Sequence, residues 1–235
     1  MIKSVISGIA LASAFGFAAS PATAATTVLT FTGAICGTGT QACTGSATVS
    51  QNYGDGTGVD VSSRGVNVLT NATAQPGVRT YTGPGYGDLS TIAYVYGANQ
   101  TAIANQAAEF TFAALAGYEL RVLGFDAGCY LNRTQCQAIN YSLAEIGNLG
   151  APTLGVATPP SGGHSSITFA DGYSSSGYVL RFGPDAFNGG ITNVAFDVRE
   201  IGAAVPEPSA WALLILGFGL VGGTMRRTRT KLAFA

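Results

Sequence analysis

Four cysteines fall in two pairs with one spacing. Cys36 and Cys43 are seven residues apart, and so are Cys129 and Cys136. Thiols placed like this can close a small loop as a disulfide, or join other ligands around a metal ion. Closing an eight-residue loop removes roughly 2.5 kcal/mol of unfolded-chain entropy in the simple chain model. Zinc needs four tetrahedral ligands, yet the chain has one histidine and neither pair is a C-x-x-C. The spacing therefore favours the disulfides Cys36–Cys43 and Cys129–Cys136 over the two cross-pairings, and argues against zinc.

The single histidine, His164, closes the loop PPSGGH at 159–164. A Ser-His-Asp nucleophile would have to use it, but no G-x-S-x-G elbow accompanies it, and it reads as a solvated loop imidazole. Paired carboxylates hydrolyse glycosides at separations of about 5 Å or about 6.5–9.5 Å. The acids here are scattered, and their sequence positions single out no pair. No residue is assigned a catalytic role, and the chain is expected not to be an enzyme. The run DGTGVD at 55–60 sets oxygen ligands among glycines, as calcium loops do, without the EF-hand spacing. Asp55, Asp60 and Asp171 are the calcium candidates, and no other cofactor is expected. Tyr81, Tyr86, Tyr94, Tyr96, Tyr130, Tyr173 and Tyr178 could include a sugar-stacking platform, although rings also pack well within strands.

These residues sit on a body that reads as all-β. Short β-branched and aromatic runs alternate with turn residues from Thr27 onward. Strand-like segments are expected at 27–32, 47–50, 59–62, 66–70, 78–82, 91–96, 109–115, 118–125, 138–146, 153–157, 167–170, 178–182 and 191–201. The cluster GPGYG at 83–87 reads as a break, and the alanine-rich 98–108 as one helical turn. A dozen or so strands at this spacing imply a two-sheet sandwich of jelly-roll type, occupying 25–204 as one domain. Between residues 25 and 205 there are eleven acids, six arginines and no lysine, a net charge of −5. Such a surface does not attract phosphate backbones, so nucleic acid is excluded as a partner.

Residues 1–24 have the anatomy of a secretory signal peptide. Lys3 supplies the positive end, an apolar stretch with Ile9, Leu11, Phe15 and Phe17 follows, and Pro21 precedes the small residues Ala22 and Ala24. Cleavage by signal peptidase would start the mature chain at Ala25. Export places the cysteines in an oxidising compartment, where disulfides are the default.

The other end, 205–235, reads VPEPSAWALLILGFGLVGGTMRRTRTKLAFA. No charge falls between Ala210 and Met225, and sixteen residues give roughly 24 Å of helix. A transmembrane helix is expected over about 208–225, with tilt, bilayer thinning and snorkelling making up the shortfall. Trp211 suits one interface. The basic tail at 226–235, with Arg226, Arg227, Arg229 and Lys231, marks the cytoplasmic side. Gly219 and Gly223 form a G-x-x-x-G pair that lets helices approach closely, or simply reflect a glycine-rich run.

Pro206-Glu207-Pro208, Trp211-Ala212, the apolar run and the arginines together resemble the PEP-CTERM protein-sorting signal in its PEP-x-x-W-A form. The resemblance covers about thirty residues. It implies a Gram-negative exported protein, held in the inner membrane until an exosortase cuts near 206–208, and associated with exopolysaccharide and biofilm. The tail departs from the pattern by running on through residues 232–235. A second, shorter resemblance lies at 182–198 (FGPDAFNGGITNVAFDV), which is similar to the last strands of exported jelly-roll, carbohydrate-binding-like domains. Thr192 stands where that pattern often has Asp.

The expected function is a cell-surface or extracellular-matrix protein whose sandwich binds polysaccharide or neighbouring proteins without catalysis. The alternative is a secreted enzyme acting on extracellular glycans. Its expected partners are signal peptidase, exosortase, the inner membrane and polysaccharide. It would be anchored transiently or permanently by the C-terminal helix.

Overall fold

The computed structural model describes residues 24–33, 36, 47–68, 73–74, 77–95, 105–130, 136, 138–202 and 208–227. Those of them that fall within Thr23–Ile201 belong to one compact unit built of two antiparallel sheets. The expected sandwich of two β-sheets is what the chain forms.

The first sheet contains β1 (Ala25–Leu29), β2 (Ala47–Thr48), β5 (Val78–Tyr86), β6 (Leu89–Val95), β8 (Tyr118–Cys129), β11 (His164–Thr168) and β13 (Gly189–Glu200). Its order is β11-β8-β13-β6-β5-β2, with β1 also against β13. The second contains β3 (Val59–Asn67), β4 (Thr73–Ala74), β7 (Gln106–Ala114), β9 (Ile139–Glu145), β10 (Thr153–Ala157) and β12 (Gly177–Phe182). Its order is β10-β9-β12-β7-β3-β4.

Period-two patterning explains which faces meet. On β7, Ala108, Phe110 and Phe112 point inward, and on β13 Val194, Phe196 and Val198 do the same; all belong to one core. Aromatic pairs tie the sheets together. Phe112 meets Phe196 at 5.1 Å between ring centroids, and Phe125 meets Tyr141 at 5.3 Å.

β13 carries both β6 and β1 along one side. Ile191 pairs with Ala93, and residues 194–198 pair with β1. The change of neighbour coincides with a register shift between Thr192 and Ala195 and a left-handed backbone at Asn193, φ 51°. That is a bulge, which re-aims the side chain at its apex.

Three expectations change. The expected break at 83–87 is strand: β5 runs on to Tyr86 through an irregularity after Thr82, and the hairpin turns at Gly87-Asp88. The expected segment 59–62 and the first two residues of the expected 66–70 merge into β3, because Arg64 pairs outward and Gly65 fits a covered position, while 69–70 lie outside the described residues. Of the expected helical turn at 98–108, residues 106–108 lie in β7, held by pairing on both sides, and 96–104 lie outside the described residues. The expected signal peptide lies outside them too as far as Thr23, Ala22 included. Ala24 precedes β1, which starts at Ala25.

The C-terminal helix α1 spans Pro208–Arg227. Proline is well suited to a first helical position, where its missing N–H costs nothing.

Candidate functional site

The outer face of the first sheet carries a second apolar cluster of Tyr86, Leu89, Ile92 and Tyr94, with Tyr81, Tyr130 and Phe187 packed against it. Two glycines make room for it. A Cβ on Gly128 would stand 2.5 Å from the Tyr86 carbonyl oxygen, and one on Gly190 would stand 2.8 Å from Cδ1 of Ile92. The β5–β6 hairpin therefore lies directly on bare backbone. Tyr86 donates its hydroxyl to the Phe187 carbonyl at 2.6 Å, and burial pushes its pKa far up. An open groove of about 430 Å³ runs along the hairpin tip, lined among others by Thr82, Pro84, Gly87, Asp88 and Ser90.

Beside that tip, one chain of polar groups joins the β5–β6 turn to β11, β8 and β13. Asp88 accepts from His164 Nδ1 at 2.8 Å, and His164 Nε2 stands 3.9 Å from Asp126. Asp126 accepts from the Ser166 hydroxyl at 2.6 Å and from the Asn193 amide at 2.7 Å. The sheet register explains this meeting. His164 pairs with Gly128 and Ser166 with Asp126, so both side chains share one face, and the β13 bulge swings Asn193 toward it. The hydrogen bond to Asp88 raises the His164 pKa, helped by the charge of Asp126, against a smaller desolvation effect. The same bond lowers that of Asp88. Ser166 gives its hydroxyl to a carboxylate rather than to the imidazole. The arrangement therefore offers hydrogen-bond donors and acceptors on an open face.

Two other charge clusters serve the sheets. Glu109 on β7 accepts from Arg64 on β3 at 2.6 Å and from Arg181 on β12 at 2.5 Å. Burial would raise its pKa, but the two guanidinium groups outweigh that and hold it low. Asp197 is held low in the same way, its burial outweighed by bonds from Thr26 and Arg121. The Tyr173 ring lies beneath Arg199 at 3.6 Å and Arg121 at 4.8 Å.

The expected site residues separate. Asp55 accepts from the Val61 backbone N–H at 2.7 Å, fixing its own loop. Asp171 accepts from Thr153 at 3.1 Å, and Asp60 is exposed on β3. Among the described residues no three His, Cys, Asp or Glu side chains are placed to hold a metal ion. Of the tyrosines, Tyr81, Tyr86, Tyr94 and Tyr130 do gather, with Tyr86 and Tyr94 buried and Tyr81 and Tyr130 half-exposed. Tyr173 stacks under arginines, Tyr178 donates to the Gly172 carbonyl at 2.8 Å, and Tyr96 lies outside the described residues. Thr192 is buried and donates to the Thr30 carbonyl at 3.1 Å. Cys129 and Cys136 are disulfide-bonded. Cys36 is disulfide-bonded as well, and its expected partner Cys43 lies outside the described residues.

In the C-terminal segment, Pro206, Glu207 and Arg229 lie outside the described residues. Pro208 opens α1, Trp211 lies in its first turn, and Arg226 and Arg227 are its last two residues. Leu213, Leu214, Ile215 and Leu216 are consecutive and all exposed. At about 100° per residue they cover nearly the whole circumference, so α1 is apolar all round rather than on one face. Among the described residues no helix is long and apolar enough to cross a membrane. The helix expected over about 208–225 is there as α1, and its uncharged part, about 24 Å, is shorter than a hydrocarbon core of about 30 Å.

No curated protein and no solved structure matches the chain. Residues 204–229 match the family model of the PEP-CTERM protein-sorting motif. The chain ends in a PEP-CTERM sorting signal, the mark of an exported protein handled by an exosortase.

Proposed function

We propose that this protein is delivered to the cell surface or extracellular matrix. Its sandwich works there as a non-catalytic binding or structural module linked to exopolysaccharide and biofilm. The observation that carries the reading is the sorting motif at 204–229 following a compact β-sandwich. The antiparallel pairing of the first strand, β1, with the last, β13, supports a jelly-roll-like arrangement. The groove at the β5–β6 tip supports a polysaccharide ligand. Thr82 and Ser90 hydroxyls and the Asp88 carboxylate line it, and the half-exposed Tyr81, bonded to the Pro84 carbonyl, stands beside it; sugars are held by such hydrogen bonds and stacking.

The C-terminal segment holds the exported chain at the inner membrane until exosortase acts near 206–208. Support comes from the all-round apolar surface of α1 and from Arg226 and Arg227 at its end. Bilayer thinning and snorkelling of those arginines close the length gap.

Replacing Pro206, Glu207 and Pro208 together by Ala tests this. All three lie outside the compact unit Thr23–Ile201, so the body keeps its fold. The variant is expected to stay at precursor mass in the membrane fraction, whereas the natural chain is shortened. Equal shortening of both would overturn the reading.

A further inference from the structure

The two sheets treat their edges differently. At the first, β11 carries His164, bonded to Asp88. At the second, β10 carries no charge, no proline and no bulge: its five residues pair with β9 in unbroken register. Among the described residues β9 is its only strand neighbour. Its outward side chains are Leu154, 73% exposed, and Val156, 55% exposed. The uncharged character extends well past the strand, from residue 146 to 163, on a body whose net charge is −5. Edge strands are normally blunted by charge, proline or bulges because an open edge templates further pairing. β10 itself supplies none of these, and the one carboxylate bonded to it, Asp171, lies at its first residue, Thr153.

The geometry points to β10 as a self-association edge, pairing antiparallel with β10 of a second copy about a two-fold axis at Gly155. The strand fits itself. Turned about Gly155, Leu154 faces Val156 of the other copy, and Thr153 faces Ala157. Leu154 and Val156 then form one apolar patch on the outer face of a sheet continuous through both molecules. Charge selects this occupant. Elsewhere two negatively charged bodies repel each other, whereas residues 146–163 carry no charge and Asp171, bonded to Thr153, touches the strand only at its first residue, away from the Leu154–Val156 pairing.

Five residues span about 17 Å. Such a contact buries less than the roughly 1,200 Å² of a stable complex, so the dimer forms at high local concentration. Copies gathered at one surface supply that condition.

The test is the mass of the full chain, purified in mild detergent, by sedimentation at about 100 μM. The natural protein is expected to be largely dimeric. Leu154→Lys/Val156→Lys and Leu154→Glu/Val156→Glu are each expected to be monomeric, because like charges then face each other. Their equimolar mixture is expected to recover the dimer. Unchanged circular dichroism shows that both variants fold, as substitution at exposed positions allows. A monomeric natural protein, a dimer that survives either pair of substitutions, or a mixture that stays monomeric would each overturn the proposal.

Discussion

Asp88 accepts a hydrogen bond from His164 Nδ1 at 2.8 Å, which ties the turn of the β5–β6 hairpin to the edge strand β11. Both groups titrate, and their shifts oppose each other. The pKa of His164 is raised, so its contribution to stability is complete below the ordinary value of about 6.5 and is lost as pH rises through the folded value. That of Asp88 is lowered, so its contribution is present above about 3.9 and is lost as pH falls through the folded value. The tether therefore holds best between roughly pH 4 and 6.5. His164 is the only histidine, so its imidazole signals are unambiguous by NMR. They are expected to titrate above about 6.5 in the natural protein and lower in Asp88→Asn. Identical titration in both would show that the tether does not form in solution.

Glu109 joins three strands at once, and its side chain is only 5% exposed. Glu109→Gln removes the charge between Arg64 and Arg181 and is expected to cost about 2–4 kcal/mol, read from urea unfolding. Because its folded pKa lies below the ordinary value, the natural protein should lose stability as pH falls from about 4.3 through that folded value. The Gln variant should lose less over the same range.

The sandwich was legible in the sequence because alternation survives wherever one face is wet, as on β3 and β8. Sorting was legible because its signal is local: a few residue types in fixed order at 204–229. The Asp88–His164–Asp126–Asn193 chain was not, since its members lie 76 and 67 residues apart and meet only through strand order. The glycines at 83–87 misled for a related reason. Glycine there marks close approach to Tyr130 rather than a chain break, as the contact 2.8 Å from a Cβ on Gly85 shows. The uncharged stretch at the C-terminus was legible as a helix because proline opens it and no charge interrupts it before Arg226.

Gly128 tests the packing of the hairpin on the sheet. Gly128→Val puts methyl groups where the Tyr86 backbone now lies, and overpacking of this kind costs about 1–3 kcal/mol. Gly147→Val is also strained by its left-handed backbone, but it meets nothing within 4 Å. The two are therefore expected to differ in tyrosine environment. Near-ultraviolet circular dichroism should change in Gly128→Val and not in Gly147→Val.

The polysaccharide reading predicts that Asp126→Ala and Tyr81→Ala each weaken binding of the ectodomain face to the host cell's own exopolysaccharide by about tenfold, roughly 1.4 kcal/mol. Co-sedimentation of the full chain with the purified polymer measures this. Hydrolysis of the polymer, abolished by a single carboxylate substitution, would replace the binding account with an enzymatic one.

The most direct test of the account is the intact mass of the protein recovered from cells, with and without reductant. The account predicts a chain that begins at Ala25, lacks the residues beyond 208, and gains four hydrogens on reduction of two disulfides. A mass that still contains residues 211–235 would contradict exosortase processing and with it the sorting account.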